Sequence, residues 1–154
     1  MPYILDGHNL IPKIPGLSLR DPDDETRLLE MLQGFARRER ARVEVFFDRA
    51  PATRQGKQSY GRVTAHFVTY RITADEAIRR YLQSLGKGAR NWTVVSSDRQ
   101  VQVNARALGA RVLSSEAFAR QISQYPKAAE EDKPEGALSA DEVDEWLRLF
   151  GEER

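Results

Sequence analysis

Three aspartates fall where apolar runs end: Asp6 after Ile4-Leu5, Asp48 after Val45-Phe46-Phe47, and Asp98 after Val94-Val95-Ser96-Ser97. A further acidic pair, Asp75-Glu76, stands at the start of a helical stretch that follows the β-rich run 63–70. If those runs are parallel strands, their carboxyl ends share one edge of a sheet, which is where open α/β sheets bind ligands. Carboxylates gathered there repel one another and raise each other's pKa unless a cation sits among them. An oxygen-only donor set suits Mg²⁺ or Mn²⁺, which keep several waters. Such an ion activates water and stabilises charge developing on a phosphate, so phosphodiester hydrolysis is the chemistry implied. Asn9, through its amide, and Ser97, through its hydroxyl, are placed to hold a water or a phosphate oxygen.

Each of these residues also has a purely structural explanation. Thr73-x-x-Glu76 and Ser97-x-x-Gln100 are both capping boxes. Asp75 and Asp98 then become first-turn acids that face a helix dipole, and Asp48 a turn residue. At Asp6 this explanation is weakest, because the Asp-Gly-His-Asn stretch is not expected to lead straight into a helix. What favours chemistry is the coincidence of all four positions at one edge. Capping accounts fully for Asp23 and Asp24. His8 reads as a surface or packing residue of a turn, and His66, inside a strand, as structural.

Periodicity supplies the elements that would hold these residues. A helix is expected over 22–40, with Leu28, Leu29, Met31, Leu32 and Phe35 on one face and Asp21-Pro22 opening it. Strands are expected at 3–5, 43–47, 63–70, 92–96 and 111–113, with helices from Thr73 to about 85, from 98 to about 108, and over 116–122. Residues 49–62, with Pro51, Gly56 and Gly61, read as a loop. Continuous apolar strands alternating with helices predict an α/β fold: a mostly parallel central sheet with helices on both faces. This domain spans 1–124. A charged, proline-containing linker (125–137) and a short amphipathic helix (138–154), opened by Ser139-x-x-Glu142, follow it.

The composition narrows the classes. The 154 residues contain no cysteine and two histidines, which excludes disulfides, thiolate metal sites and a multi-histidine centre. No apolar run approaches the ~20 residues of a membrane helix, and the start of the chain lacks a secretion pattern, so a cytoplasmic protein is expected. The net charge of +1 hides a division: residues 121–154 carry ten acids and four bases, leaving +7 on residues 1–120. Between Asp48 and Asp75 there is no acid, while Arg49, Arg54, Lys57, Arg62 and Arg71 occupy the gap. With Tyr60 as a stacking ring and Arg79 as an extension, this stretch reads as a single-stranded RNA surface.

Strand-Asp6-Gly-His-Asn9-Leu-Ile, VFFD48, TAD75E76AI, VVSSD98 and GARVLSSEAF, in that order over 1–123, resemble the YacP-like branch of the NYN ribonucleases, within the PIN-like nuclease superfamily. The resemblance implies a three-layer PIN-like fold, a metal-dependent acidic centre and RNA as substrate. By position, Asp6, Asn9, Asp75 and Asp98 match the core acidic and asparagine positions. The expectation is therefore an endoribonuclease in which Asp6, Asp75 and Asp98 hold Mg²⁺ or Mn²⁺, Asp48 and Glu76 support them, and Asn9 and Ser97 orient water or phosphate. Arg49, Arg54, Lys57, Tyr60, Arg62 and Arg79 would hold the RNA, whether a messenger or ribosome-associated. A non-catalytic RNA- or ribosome-binding module is the alternative. A receiver-type phosphatase ranks last, since position 8 is His where such a domain needs a second aspartate.

Overall fold

The computed structural model describes residues 1–51, 53, 55–69 and 71–123. Arg54, Tyr70, the linker over 125–137 and the helix expected over 138–154 lie outside these residues. Six strands form one sheet in the order β3-β4-β2-β1-β5-β6, comprising β1 (Tyr3–Asp6), β2 (Val43–Phe47), β3 (Gly56–Tyr60), β4 (Val63–Phe67), β5 (Thr93–Val95) and β6 (Arg111–Leu113). All neighbours are parallel except β3, which pairs antiparallel with β4 at the edge. The five parallel strands therefore run 3-2-1-4-5 in chain order. The order reverses between β1 and β5, and that reversal is where doubly wound sheets open a ligand crevice.

Helices α1 (Gly7–Leu10), α2 (Asp24–Glu39), α3 (Ala74–Leu85), α4 (Arg99–Ala107) and α5 (Ser115–Ser123) cover the two faces. Against α2 and α5 the sheet presents Leu5, Val43, Val45, Phe47 and Val95; against α3 and α4 it presents Ile4, Phe46 and Val94. This is the strand period of two, each face feeding a separate core. Phe35 and Phe118 meet edge-to-face at 5.0 Å, and Tyr3 packs on both. No helix of the described residues is long and apolar enough to cross a membrane.

Two local features depart from the expected pattern. Residues 49–62 are not one loop: Gly56–Tyr60 forms β3, and a two-residue turn at Gly61-Arg62 returns the chain into β4. Gly61 has φ 66, the conformation a type II′ hairpin requires at its first central position. Nor does a loop follow Asp6, because α1 begins at the next residue and a 3₁₀ turn (Ile11–Lys13) continues it.

Gly7 makes that abrupt turn possible. A Cβ there would collide with the Phe47 ring and sit 3.1 Å from the Phe46 carbonyl oxygen. Gly7→Ala is expected to cost about 1–3 kcal/mol, the range for overpacking a filled core, with a matching fall in the urea midpoint. An unchanged midpoint would show that α1 does not need this close approach.

The strand β2 is buried throughout, yet includes Glu44, which is 2% exposed. His66 Nε2 lies 2.5 Å from one Glu44 oxygen, and Arg42 Nε donates to the other at 2.9 Å. Arg42 also donates to Tyr81 Oη (3.1 Å) and lies over the Trp92 ring, while His66 stacks on Phe46 at 4.2 Å. Burial pushes the Glu44 carboxyl up, but hydrogen bonds from His66 and Arg42 outweigh it and hold the group below its ordinary value. His66 is thus structural, as its strand position suggested.

Candidate active site at the carboxyl edge

Asp6 ends β1 at the reversal of strand order, with Asp48 just beyond the neighbouring β2 and Asp98 after β5 on the other side. Burial pushes the Asp6 carboxyl up to about 6, and the charges of Asp48 and Asp98 push in the same direction. Asp6 occupies the N-cap position of α1, where the Asn9 N–H, at the third helical residue, faces its carboxyl. The Asn9 N–H and the charge of His8 offset only part of the rise. Capping therefore accounts for only part of the setting of this carboxylate.

Asp98 does cap α4: its Oδ1 accepts from the N–H groups of Gln100 (2.8 Å) and Val101 (3.3 Å). The cap falls one residue later than the Ser97-x-x-Gln100 pattern suggests. Only one carboxylate oxygen is used, so among the described residues Oδ2 keeps its lone pairs. Asp48 is held by two elements, α1 and α3. His8 Nδ1 lies 2.9 Å from its Oδ1, and the Ala74 N–H of α3 donates to Oδ2 at 3.4 Å.

Asn9 is bracketed rather than loose. Its Oδ1 accepts from the Ser97 N–H (2.9 Å) and from Ser115 Oγ (2.7 Å), tying α1 to the ends of β5 and to α5. That fixes the amide, and its NH₂ has no partner among the described residues. Ser97 is committed differently. Its hydroxyl donates to Glu116 and accepts from the Ser115 N–H, and Lys13 pairs with Glu116 at 3.1 Å. The hydroxyl expected to orient water thus holds α5 against the edge.

Asp75 opens α3 and accepts from Asn104 Nδ2 at 3.3 Å, which links α3 to α4. Thr73 Oγ1 caps α3 by accepting the Glu76 N–H at 3.1 Å, as the sequence predicts. The Glu76 carboxylate turns to Arg79 (2.5 and 3.1 Å) and Arg80 (2.9 Å) instead of the carboxylate cluster, so Arg79 is paired as well.

A cleft of about 700 Å³ opens beside Asp6, lined among others by His8, Asn9, Asp24, Asp48, Arg49 and Pro51. Arg49 has φ 60, the left-handed region that costs any residue with a Cβ, at the turn that follows Asp48. Lys57 sits on β3 at the same end of the sheet, because Gly56 pairs with Phe67, the last residue of β4. Tyr60 and Arg62 sit at the opposite end, where Tyr60 pairs with Val63. The single basic surface expected from the sequence is therefore split along the length of a hairpin. Arg54 lies outside the described residues.

Sequence reasoning missed three residues here. Asp24, assigned wholly to capping, is 9% exposed, and burial pushes its carboxyl up. Glu25 and His8 form the second omission: His8 Nε2 lies 2.7 Å from Glu25 Oε2, so the imidazole bridges Glu25 and Asp48. Both ring nitrogens must donate to do this, which makes the ring an imidazolium. The Glu25 hydrogen bond raises the His8 pKa most; burial lowers it, Asp48 adds to the rise, and the result is about 9.

Because that folded value exceeds the ordinary 6.5, the bridge contributes its full stability below pH 6.5 and loses it as pH climbs through about 9. The shift corresponds to about 3 kcal/mol at most. The melting temperature of the wild type is expected to fall across that window, and His8→Gln to flatten the fall. Parallel curves would show that the bridge does not carry the effect.

The donor set fits a hard divalent cation. Asp6, Asp48 and Asp98 supply only oxygen, and the Asp6 carboxyl sits in the repulsive environment that such an ion relieves. Among the described residues, no three His, Asp or Glu side chains already stand in metal-ligand geometry. The carboxylates are instead held by His8, Ala74, Asn104 and the α4 N–H groups.

A 3-2-1-4-5 parallel sheet with carboxylates at its reversal point defines a doubly wound α/β domain whose ligand crevice is acidic. The comparisons narrow that class. The family model for the YacP-like NYN domain matches residues 3–147, and the chain belongs to that family. Among solved structures it is similar to Rae1 (YacP) from Bacillus subtilis, with 25% identity, a TM-score of 0.72, and coverage of 85% of this chain and 78% of that one. A tryptophan-to-leucine variant of the same protein gives 25% identity and a TM-score of 0.69, covering 84% and 79%. No curated protein matches the chain.

Proposed function

We propose that this protein is a Mg²⁺- or Mn²⁺-dependent endoribonuclease acting on single-stranded RNA. The observation that carries the reading is Asp6: a half-buried carboxylate at the strand-order reversal, pressed by Asp48 and Asp98. Family membership supports a nuclease-like, RNA-related domain.

Asp6 and Asp98 would hold the ion from either side of the reversal. Asp48, steadied by His8 and the α3 N-terminus, and Asp75 complete the acidic surround. When bound, the ion would supply an activated water and neutralise charge on the phosphate. The Asn9 NH₂, fixed by the two bonds to its carbonyl oxygen, is set to donate to a phosphate oxygen at the cleft. Arg49 and Lys57 lie at the same end of the sheet to bind the flanking backbone. Messenger and ribosome-bound RNA are both candidate substrates for a cytoplasmic enzyme of this kind.

A non-catalytic RNA-binding module is the second reading. It is favoured by the local hydrogen bonds that hold Asp48, Asp75 and one oxygen of Asp98. Labelled RNA incubated with Mn²⁺, Mg²⁺ or EDTA separates the two. Products expected only with the metals support the enzyme, whereas salt-sensitive binding without products in every condition supports the module.

A further inference from the structure

A second cleft, of about 230 Å³, is lined by Gln33 and Arg37 of α2 and by Tyr60, Gly61 and Arg62 of the hairpin. Like the cleft beside Asp6, it has α2 as one wall. That one is lined by Asp24 and Glu25 at the start of α2, by Arg49 to Pro51 leading into β3, and by Phe67 at the end of β4. Since α2 rises about 1.5 Å per residue, its walls at Glu25 and Arg37 are ~18 Å apart. An extended single strand crosses that distance in a few nucleotides.

The chemistry of the second cleft suits nucleic acid. No carboxylate lines it. Arg37 and Arg62 are exposed, and neither makes an ion pair among the described residues. Tyr60 is half-buried against the α2 side of the core, and its hydroxyl donates to Gln58 Oε1 at 2.5 Å, which fixes the ring. A fixed aromatic ring in one cleft with two guanidinium groups offers a stacking platform and two phosphate contacts. The helix dipole explains Arg37 near the α2 C-terminus. It explains neither Arg62 nor Tyr60.

We propose that this distal cleft is a second RNA contact, binding a base and its flanking phosphates a few nucleotides away from the bond positioned at Asp6. The proposal rests on the RNA-directed reading above and adds a place and a length requirement to it. Single-stranded RNA lies along the α2–hairpin flank, gripped at the carboxyl edge by Arg49 and at the far end by Arg37, Tyr60 and Arg62.

The test uses the full chain and a fluorescent single-stranded RNA of roughly 12 nucleotides, within the usual site sizes for such surfaces, in EDTA. The double variant Arg37→Gln/Arg62→Gln is expected to bind about tenfold more weakly, and its log K against log salt slope to be shallower by about 1.4, the value for two lost phosphate contacts on a single strand. Tyr60→Leu is expected to weaken binding about tenfold with the slope unchanged, as lost stacking requires. Thermal melts confirm that each variant is folded. Wild-type affinity and slope in all these variants, with binding lost only in Arg49→Gln, would overturn the distal contact and leave the RNA-directed reading intact. No binding by the wild type itself would overturn both.

Discussion

Asp6→Asn is expected to abolish metal-dependent RNA cleavage and, at the same time, to make the metal-free protein more stable. The folded Asp6 pKa of about 6 lies above the ordinary 3.8, so the folded state favours the protonated form. The associated stability is present below about pH 4 and is lost as pH rises through about 6. At pH 8 the ionised carboxylate costs about 3 kcal/mol at most. Asparagine removes the charge and keeps the shape. Its melting temperature in EDTA at pH 8 should exceed that of the wild type by roughly 5 °C, the scale expected for a domain of this size. Mn²⁺ should raise the melting temperature of the wild type and not of the variant, because only a native state that binds the ion gains from it. Lower stability of Asp6→Asn in EDTA would mean that Asp6 is a structural residue.

The second large effect lies away from the cleft. Glu44→Ala removes the one acid of the buried trio and leaves His66, largely buried beneath Tyr81 and stacked on Phe46, without its partner. Breaking a buried pair in this way costs about 3–5 kcal/mol, and the remaining cavity adds to the loss. Arg42 is 59% exposed and can return to water, so the effect should fall near the lower end of that range. Replacing both partners, as Glu44→Met/His66→Leu, should recover most of the loss, since apolar groups of similar volume often match a buried ion pair. Urea unfolding measures all three proteins. A single variant within 1 kcal/mol of wild type would show that the trio contributes little.

Signals that act within a few residues were legible in the sequence. The apolar run 43–47 became β2 with the expected bounds, and the Thr73 cap, the α2 face and the alternation of strands and helices emerged from local spacing. The edge strand β3 did not. Gly56–Tyr60 is polar and exposed along most of its length, so it carries no alternation, and only its pairing with β4 makes it a strand. That Asp6, Asp48 and Asp98 follow strands ending at one edge of the sheet came from strand order alone. The bridge from Glu25 through His8 to Asp48 did not, because it joins residues 17 and 40 positions apart that no periodicity relates. The side chains of Ser97 and Glu76 turn to Glu116 and to Arg79 and Arg80, partners that local spacing did not reveal as competitors for a site role.

Asp98→Asn gives the most direct test of the central claim, because asparagine caps a helix about as well as aspartate. The α4 cap survives the substitution and only the negative charge is lost. Single-turnover cleavage of labelled single-stranded RNA in Mn²⁺ is expected to fall to the level seen in EDTA, with melting temperature near that of the wild type. Cleavage at the wild-type rate would reduce Asp98 to a helix cap and contradict a metal-dependent acidic centre at this edge.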